Sequence, residues 1–198
     1  MITVSSGKFK NFKLKVPESI RPTKSIVKSA VFNILRHRNF GQGNNFIDLF
    51  AGCGNMGIEA ASMGFTPFFS EKFKSVYEYL LSNLTKLKID FDEYKFSSLK
   101  RIENKNKIEK TTVVYGDTVK IIDSLNFEFD VVYIDPPYDT NFGEKILNSD
   151  SFKKNVSSNT VILYETSKNI VNHDEFYIIE NSKKYGDTIL NIIRKYKI

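Results

Sequence analysis

At 198 residues, 41% hydrophobic and 14% aromatic, the chain can build one domain with a sizeable core and a small appendage. Charged residues make up 26% and the mean hydropathy is −0.30, which points to a soluble globular protein, and no apolar run approaches the ~18–20 residues of a membrane span. A single cysteine, Cys53, excludes an internal disulfide and suits a reducing compartment; with His37 and His173 the only histidines, no metal site is expected. The opening residues show neither an apolar leader nor a small-residue cleavage site, so a cytoplasmic protein is expected.

The net charge of +6 is unevenly spread. Residues 1–45 hold nine bases (Lys8, Lys10, Lys13, Lys15, Arg21, Lys24, Lys28, Arg36 and Arg38) against the single acid Glu18. That segment therefore carries +8, and the rest of the chain sums to −2. Such an asymmetry suits an arm that meets a polyanion. In a lysine-rich chain it is equally an ordinary solvated face.

In chain order, residues 2–6 and 12–16 read as a short hairpin around a polar turn. Arg21-Pro22-Thr23 then opens a helix with Ile26, Val27, Ala30, Val31, Ile34 and Leu35 on one face. Residues 41–45 form a hinge before the main body. From there strands (46–50, 66–70, 112–115, 129–134, 161–164) alternate with helical segments (55–63, 73–87, 119–125, 141–149). Residues 88–110 are polar and read as an exposed insertion. The end changes rhythm, with strands at 176–180 and 188–193 and no helix between them. This pattern predicts an α/β fold, a seven-stranded, mostly parallel, doubly wound sheet with an antiparallel terminal hairpin strand. Strand 129–134 is nearly all apolar and is expected at the centre, buried on both faces. The domain division expected is 1–40 for the hairpin and helix extension and 41–198 for the main body.

Gly52-Cys53-Gly54-Asn55-Met56-Gly57 is a G-x-G-x-x-G loop between a strand and a helix, the pattern of a dinucleotide site. Glycines let the backbone approach a ligand, and the helix N-terminus offers free N–H groups. Asp48, with Phe50 on the strand leading into the loop, would oppose a pyrophosphate but would bind the ammonium of S-adenosylmethionine. Glu71, ending the second strand, is placed to accept from ribose hydroxyls, and Asp117, after the third, faces an adenine amine. An ordinary strand–helix turn with caps is the bland alternative.

Asp135-Pro136-Pro137-Tyr138 follows the most buried strand, and so stands beside the glycine loop. Consecutive prolines hold the backbone extended and leave carbonyls free to accept. An exocyclic amine on a base is a poor nucleophile because its lone pair is delocalised into the ring. Accepting both of its N–H bonds, with the Asp135 carboxylate and the Pro136 carbonyl, favours a tetrahedral nitrogen. Tyr138 offers a face on which an unstacked base can lie. The competing reading is a Pro-rich turn with Tyr138 as a packing residue.

The chain resembles the bacterial 16S rRNA (guanine-N2)-methyltransferases of the RsmD type. The matching segments are Gly7-Lys8-Phe9-Lys10 with Lys13-Leu14 and Pro17, Arg21-Pro22-Thr23 with Val27 and Phe32-Asn33-Ile34-Leu35, Asp48-Leu49-Phe50-Ala51-Gly52, Gly57-Ile58-Glu59-Ala60, Asp135-Pro136-Pro137-Tyr138 and Tyr185-Gly186-Asp187-Thr188. The resemblance implies a Rossmann-like methyltransferase fold with an N-terminal RNA-contacting extension. It implies methyl transfer from S-adenosylmethionine, without a metal, to one guanine of 16S rRNA, of the guanine(966)-N(2) type, within the small ribosomal subunit. Cys53 stands where the family usually has Ser, Asn11 where it has a glycine, and Ser25, Lys28 and Ser29 where it has an acid and an Arg-Glu pair.

The expected site is then Asp135, Pro136 and Tyr138 for the chemistry. Asp48, Phe50, Gly52, Gly54, Asn55, Glu71, Asp117 and Thr23 are expected to hold the cofactor, Thr23 at its methionine end. Lys8, Phe9, Lys10, Lys13, Arg21 and Lys24 are expected to meet RNA. A monomer suffices for all of this, with no membrane partner. Three other readings stay open: an adenine-N6 or cytosine-N4 methyltransferase on DNA or RNA, a nicotinamide-dependent oxidoreductase, and a non-catalytic RNA-binding module.

Overall fold

The alternation of side chains along the strands decides the architecture. In β3 (Asn45–Leu49), Phe46 enters one core cluster while Ile47 and Leu49 enter another. In β7 (Phe129–Ile134), Val131 and Tyr133 join the first and Val132 and Ile134 the second. Both faces of these strands are covered, which is why each reads as an unbroken apolar run. The structure, a computed structural model, describes residues 2–18, 23–101, 108–137, 140–170 and 175–196.

With β4 (Thr66–Glu71), β5 (Phe91–Lys95), β6 (Thr111–Tyr115), β8 (Val156–Thr166), β9 (Tyr177–Tyr185) and β10 (Thr188–Lys195), these strands form an eight-stranded sheet in the order β5-β6-β4-β3-β7-β8-β10-β9. The six strands from β5 to β8 are parallel, and β10 runs antiparallel to both β8 and β9. The mostly parallel sheet with an antiparallel terminal hairpin is as expected. The count is not: eight strands stand where seven were expected. The additional strand is β5, inside the segment taken for an exposed insertion. As an edge strand, paired with β6 alone, it has a charge-rich sequence, Phe91-Asp92-Glu93-Tyr94-Lys95, that hides its strand character. Lys110 fastens this edge through Asp90 and Asp92, at 2.9 and 3.1 Å.

One face of the sheet carries α1 (Ser25–His37), α2 (Asn55–Ser62) and α3 (Lys74–Lys86); the other carries α4 (Thr118–Asp123), α5 (Phe142–Asn148) and α6 (Asp150–Asn155). The helix expected at 141–149 is α5, and a further short helix, α6, follows it directly. Ser149 makes the break, its hydroxyl accepting from the Phe152 N–H at 3.2 Å as the cap of α6. No described helix is long and apolar enough to cross a membrane.

The N-terminal hairpin is shorter than expected. Its ladder is β1 (Ile2–Thr3) with β2 (Lys13–Leu14), extended by backbone bonds between Val4 and both Asn11 and Phe12. Asn11 takes a left-handed conformation, φ 69°, which asparagine tolerates better than most residues other than glycine. α1 begins at Ser25, and its buried face is turned from the expected one. Val27, Lys28, Val31, Phe32 and Leu35 point inward, while Ile26 is 60% exposed.

Lys28 is the reason for that turn. Its ammonium lies 2.8 Å from Glu59 of α2 and 2.8 Å from the Thr3 carbonyl, fully inside the protein. Glu59 also accepts from the Ser5 and Ser6 N–H groups and the Ser6 hydroxyl. One buried ion pair thus joins the hairpin, α1 and α2, and Lys28 is not part of any solvent-facing basic surface. A buried pair with its remaining donors and acceptors satisfied fixes geometry even where it adds little net stability.

Candidate active site

The chain leaves β3 toward β4 and later returns to the other side of β3 as β7, so a crevice opens beyond the carboxyl ends of these strands. Into it the glycine loop folds. Phe50, at φ 66°, and Gly54, at φ 89°, both occupy the left-handed region. For a non-glycine residue this costs about 1–3 kcal/mol, a strain found mostly at functional loops. Gly57 serves packing instead: a Cβ there would lie 2.1 Å from the Phe69 ring, so its absence lets α2 settle on β4.

The resulting cleft is about 780 Å³ and gathers residues from seven separate segments. Of the residues expected from the sequence, it brings together Phe50, Gly52, Asn55, Glu71, Asp117, Asp135, Pro136, Thr23 and Lys24. Asp48 and Gly54 stand behind this wall rather than in it. Asp48 is 2% exposed, and its Oδ2 accepts from the Gly57 N–H at 2.8 Å, drawing the start of α2 onto β3. Tyr138 and Arg21 lie outside the described residues.

Acids dominate the cleft. Every parallel strand from β6 to β8 delivers one near its carboxyl end: Asp117 after β6, Glu71 in β4, Asp48 in β3, Asp135 after β7 and Glu165 in β8. Burial pushes Asp48 up to about 8; the Gly57 N–H opposes this, while Asp135 and Glu71 add to it. Burial likewise raises Asp135 to about 6, against a weak bond from Thr23. Glu165 rises to about 8 through burial and the nearby charge of Asp135, in spite of the Tyr133 hydroxyl and Lys24. Glu71 is raised by burial, although the Phe73 and Gly52 N–H groups hold its two oxygens at 2.7 and 2.9 Å. Burial also acts upward on Asp117, but the Lys72 ammonium at 3.0 Å and two backbone N–H groups outweigh it and hold that carboxyl low. Such a set of crowded carboxylates lowers its energy by taking up a cation.

One buried donor completes the picture. The Asn55 Oδ1 accepts from the Lys28 ammonium at 3.3 Å, while its Nδ2 is buried without a hydrogen-bond partner among the described residues. Buried amide donors are rarely left unmatched. Nδ2, at the start of α2, provides a donor for one carboxylate of a ligand.

Thr23 stands at the other end of the cleft, its hydroxyl 3.5 Å from both Asp135 Oδ2 and the Tyr133 hydroxyl. Tyr133 in turn donates to Glu165. The sequence reading missed Glu165, Phe142 and Thr188, all of which line the cleft. A signal for Glu165 was present, an acid directly following the apolar run 161–164. Phe142 stacks on Phe50 with ring centroids 6.1 Å apart, a pairing that only the fold reveals.

The residues expected to meet RNA separate into two groups. Lys24 lines the cleft and pairs with Asp187 at 3.5 Å. Lys8, Lys10 and Lys13 are exposed, but the turn that carries Lys8 and Phe9 is bonded to Ser62, at the far end of α2 from the glycine loop. Eight residues of helix put about 12 Å between those ends. Gly7 packs so closely that a Cβ would fall 1.9 Å from the Ser62 carbonyl oxygen, so part of the Gly-Lys-Phe-Lys motif is a clamp on α2. Phe9 is half-buried against the same core.

Comparison with known proteins agrees with this arrangement. The model of the family described as Conserved hypothetical protein 95 matches residues 2–119 and 117–194. The chain belongs to this family, the RsmD-type methyltransferases. A relative named ribosomal RNA small subunit methyltransferase D, from Buchnera aphidicola, is 25% identical over 86% of this chain and 78% of its own length. Among solved structures, yhhF of Escherichia coli superposes with a TM-score of 0.77 at 20% identity, covering 98% of this chain and 97% of that one. A mutant of MtNAS, solved in complex with S-adenosylmethionine, gives a TM-score of 0.57 at 16% identity, over 84% of this chain and 60% of that one. At such identities the last two show the shared fold and nothing finer. The fold is that of the Rossmann-like methyltransferases, with the N-terminal hairpin present.

Proposed function

We propose that the chain transfers a methyl group from S-adenosylmethionine to the exocyclic N2 of a guanine in small-subunit rRNA. The observation that carries this reading is the row of carboxylates at the strand ends. A nicotinamide dinucleotide would bring a doubly negative pyrophosphate against Asp48, Glu71 and Asp135, whereas S-adenosylmethionine brings a sulfonium, an ammonium and a single carboxylate. The buried Nδ2 of Asn55 and the α2 N-terminus suit that carboxylate. Glu71, already oriented by two backbone N–H groups, keeps lone pairs for a ribose diol, and Asp117 stands where an adenine amine would be recognised.

When bound, S-adenosylmethionine supplies an electrophilic methyl group. The work of the protein is to present the nucleophile. Asp135 and the Pro136 carbonyl accept the two N–H bonds of the amine, which concentrates its lone pair on nitrogen and directs it across the cleft. Thr23 holds the Asp135 carboxylate. After transfer the nitrogen releases a proton readily, so no strong base is required and positioning carries most of the rate. Tyr138 supplies the stacking face for the base. Asp48 acts from beneath the loop, fixing the start of α2 through the Gly57 N–H.

The substrate assignment rests on family membership, the relative's name and the basic N-terminal segment. Residues 1–40 are read as the RNA-contacting extension and 41–198 as the methyltransferase domain, working as a cytoplasmic monomer. Lys24 meets RNA at the cleft, and Lys8, Lys10, Lys13 and Arg21 contact the RNA backbone, where contacts position without reading sequence. Radiolabelled methyl transfer to unmodified small subunits and to naked rRNA, followed by digestion to nucleosides, tests the reading. N2-methylguanosine is the expected product; N6-methyladenosine or N4-methylcytidine would refute the guanine assignment. Thermal stabilisation by NAD and not by S-adenosylhomocysteine would overturn the methyltransferase reading itself.

A further inference from the structure

We propose that Glu165 selects guanine by accepting the hydrogen bond of its ring N1–H while Asp135 and the Pro136 carbonyl hold the N2 amine. This rests on the guanine-N2 reading above and deepens it to the residue that distinguishes one amine-bearing base from another.

The placement comes from sheet register. Ile134 of β7 pairs with Tyr164 of β8, so the residues that follow, Asp135 and Glu165, leave adjacent parallel strands side by side. Neighbouring strands stand about 5 Å apart, the scale on which two acceptors address neighbouring atoms on one base edge. Both residues line the same cleft. Glu165 is 5% exposed, and its side chain is held from below by the Tyr133 hydroxyl, which is itself 3.5 Å from Thr23. Two acids, one hydroxyl chain and one open side make an edge-reading device rather than a general polar wall.

The chemistry of the three candidate bases then separates them. Guanine presents donors at N1 and N2 in sequence, matching two adjacent carboxylates. Adenine presents its N6 amine beside N1, an acceptor, and cytosine its N4 amine beside N3, also an acceptor. Either would set a lone pair against an ionised Glu165, the form that the Tyr133 hydroxyl and a guanine N1–H together favour. Burial beside Asp135 makes that charge costly, and the nearby charge of Lys24 offsets it only in part, so each donor aimed at Glu165 counts: the Tyr133 hydroxyl and the N1–H of a guanine. A site built to bond a polar group rejects an analogue lacking it far more strongly than one that only fits a shape.

The test uses 2-aminopurine, which keeps the N2 amine but replaces the N1–H donor with an acceptor. Placed by ligation at the mapped target position of rRNA and assembled into the small subunit, it is compared with guanine as methyl acceptor. The full-length enzyme is expected to prefer guanine by about 100-fold or more in kcat/KM. In Glu165→Gln, which can offer an N–H to a ring acceptor, that preference should collapse by at least about tenfold, with S-adenosylhomocysteine binding retained as a check of folding. A variant that lowers both substrates alike, leaving the ratio unmoved, would show that Glu165 only supports Tyr133, and would overturn the proposal. The ratio for the unaltered enzyme stands independently of whether the variant folds; no preference for guanine there sinks it as well. If the unaltered enzyme methylates only an adenine or cytosine, the guanine reading fails first, and that outcome is recognisable from the nucleoside product.

Discussion

The two ends of α2 treat buried carboxylates in opposite ways. At its C-terminal half, Glu59 receives two backbone N–H groups, a hydroxyl and the Lys28 ammonium, all within 3.0 Å. At its N-terminal end, Asp48, Asp135 and Glu165 stand near one another with few donors, and burial drives all three upward. The first arrangement is complete without a ligand. The second is a set of acceptors held short of donors, which is stable only because the surrounding sheet places them and which gains most from a cationic or hydrogen-bond-donating ligand. A buried acid by itself therefore says little; the count of donors aimed at it separates an anchor from a site.

The contrast can be broken at several points, beginning with the largest effect. Lys28→Met would leave Glu59 buried without its cation and should cost about 3–5 kcal/mol in a urea titration. A loss under about 1 kcal/mol would mean that the pair is not the anchor of the hairpin. Asp135→Ala should lower kcat by about 100- to 1,000-fold, since it removes an acceptor from the reacting amine. Calorimetry with S-adenosylhomocysteine should find the cofactor still bound by that variant; undiminished turnover would remove Asp135 from the mechanism.

The same carboxyl sets a pH dependence. It must be ionised to accept the amine N–H, and burial raises it to about 6, so turnover should be flat at higher pH and decline as pH falls through that value. Thr23 holds the carboxyl down, so Thr23→Val should move the acid limb to higher pH in a kcat profile; an unmoved limb would show that this hydroxyl has no hold on Asp135. The smallest effect belongs to the arm. Lys10→Ala should weaken RNA binding evenly across sequences and reduce the salt dependence by about one counterion, leaving cofactor affinity unchanged. A binding titration across salt concentrations that finds no change of slope would place Lys10 off the RNA path.

Much of the fold was legible because local periodicity and burial agreed. Residues 129–134 were apolar throughout because β7 lies mid-sheet, and the glycine loop declared itself by a spacing that only a strand–turn–helix needs. β5 was hidden because an edge strand is free to carry charges. The face of α1 was mistaken because hydrophobic spacing alone treats Lys28 as a surface residue and Ile26 as core. The structure reverses both: the lysine is matched by Glu59, and the isoleucine stays largely in solvent. Glu165 was overlooked for a related reason, since an acid at a strand end has no partner in the linear sequence.

By itself, the sequence determined the α/β class, the glycine loop and the Asp-Pro-Pro-Tyr segment, because each depends on contacts between near neighbours in the chain. Only the tertiary structure decided what the charged residues do. It turned Lys28 inward, fastened the turn that carries Lys8 to the far end of α2, set Asp48 behind the cleft and brought Glu165 beside Asp135. A charge is defined by the partners and solvent around it, and those partners come from strands and helices far apart in sequence.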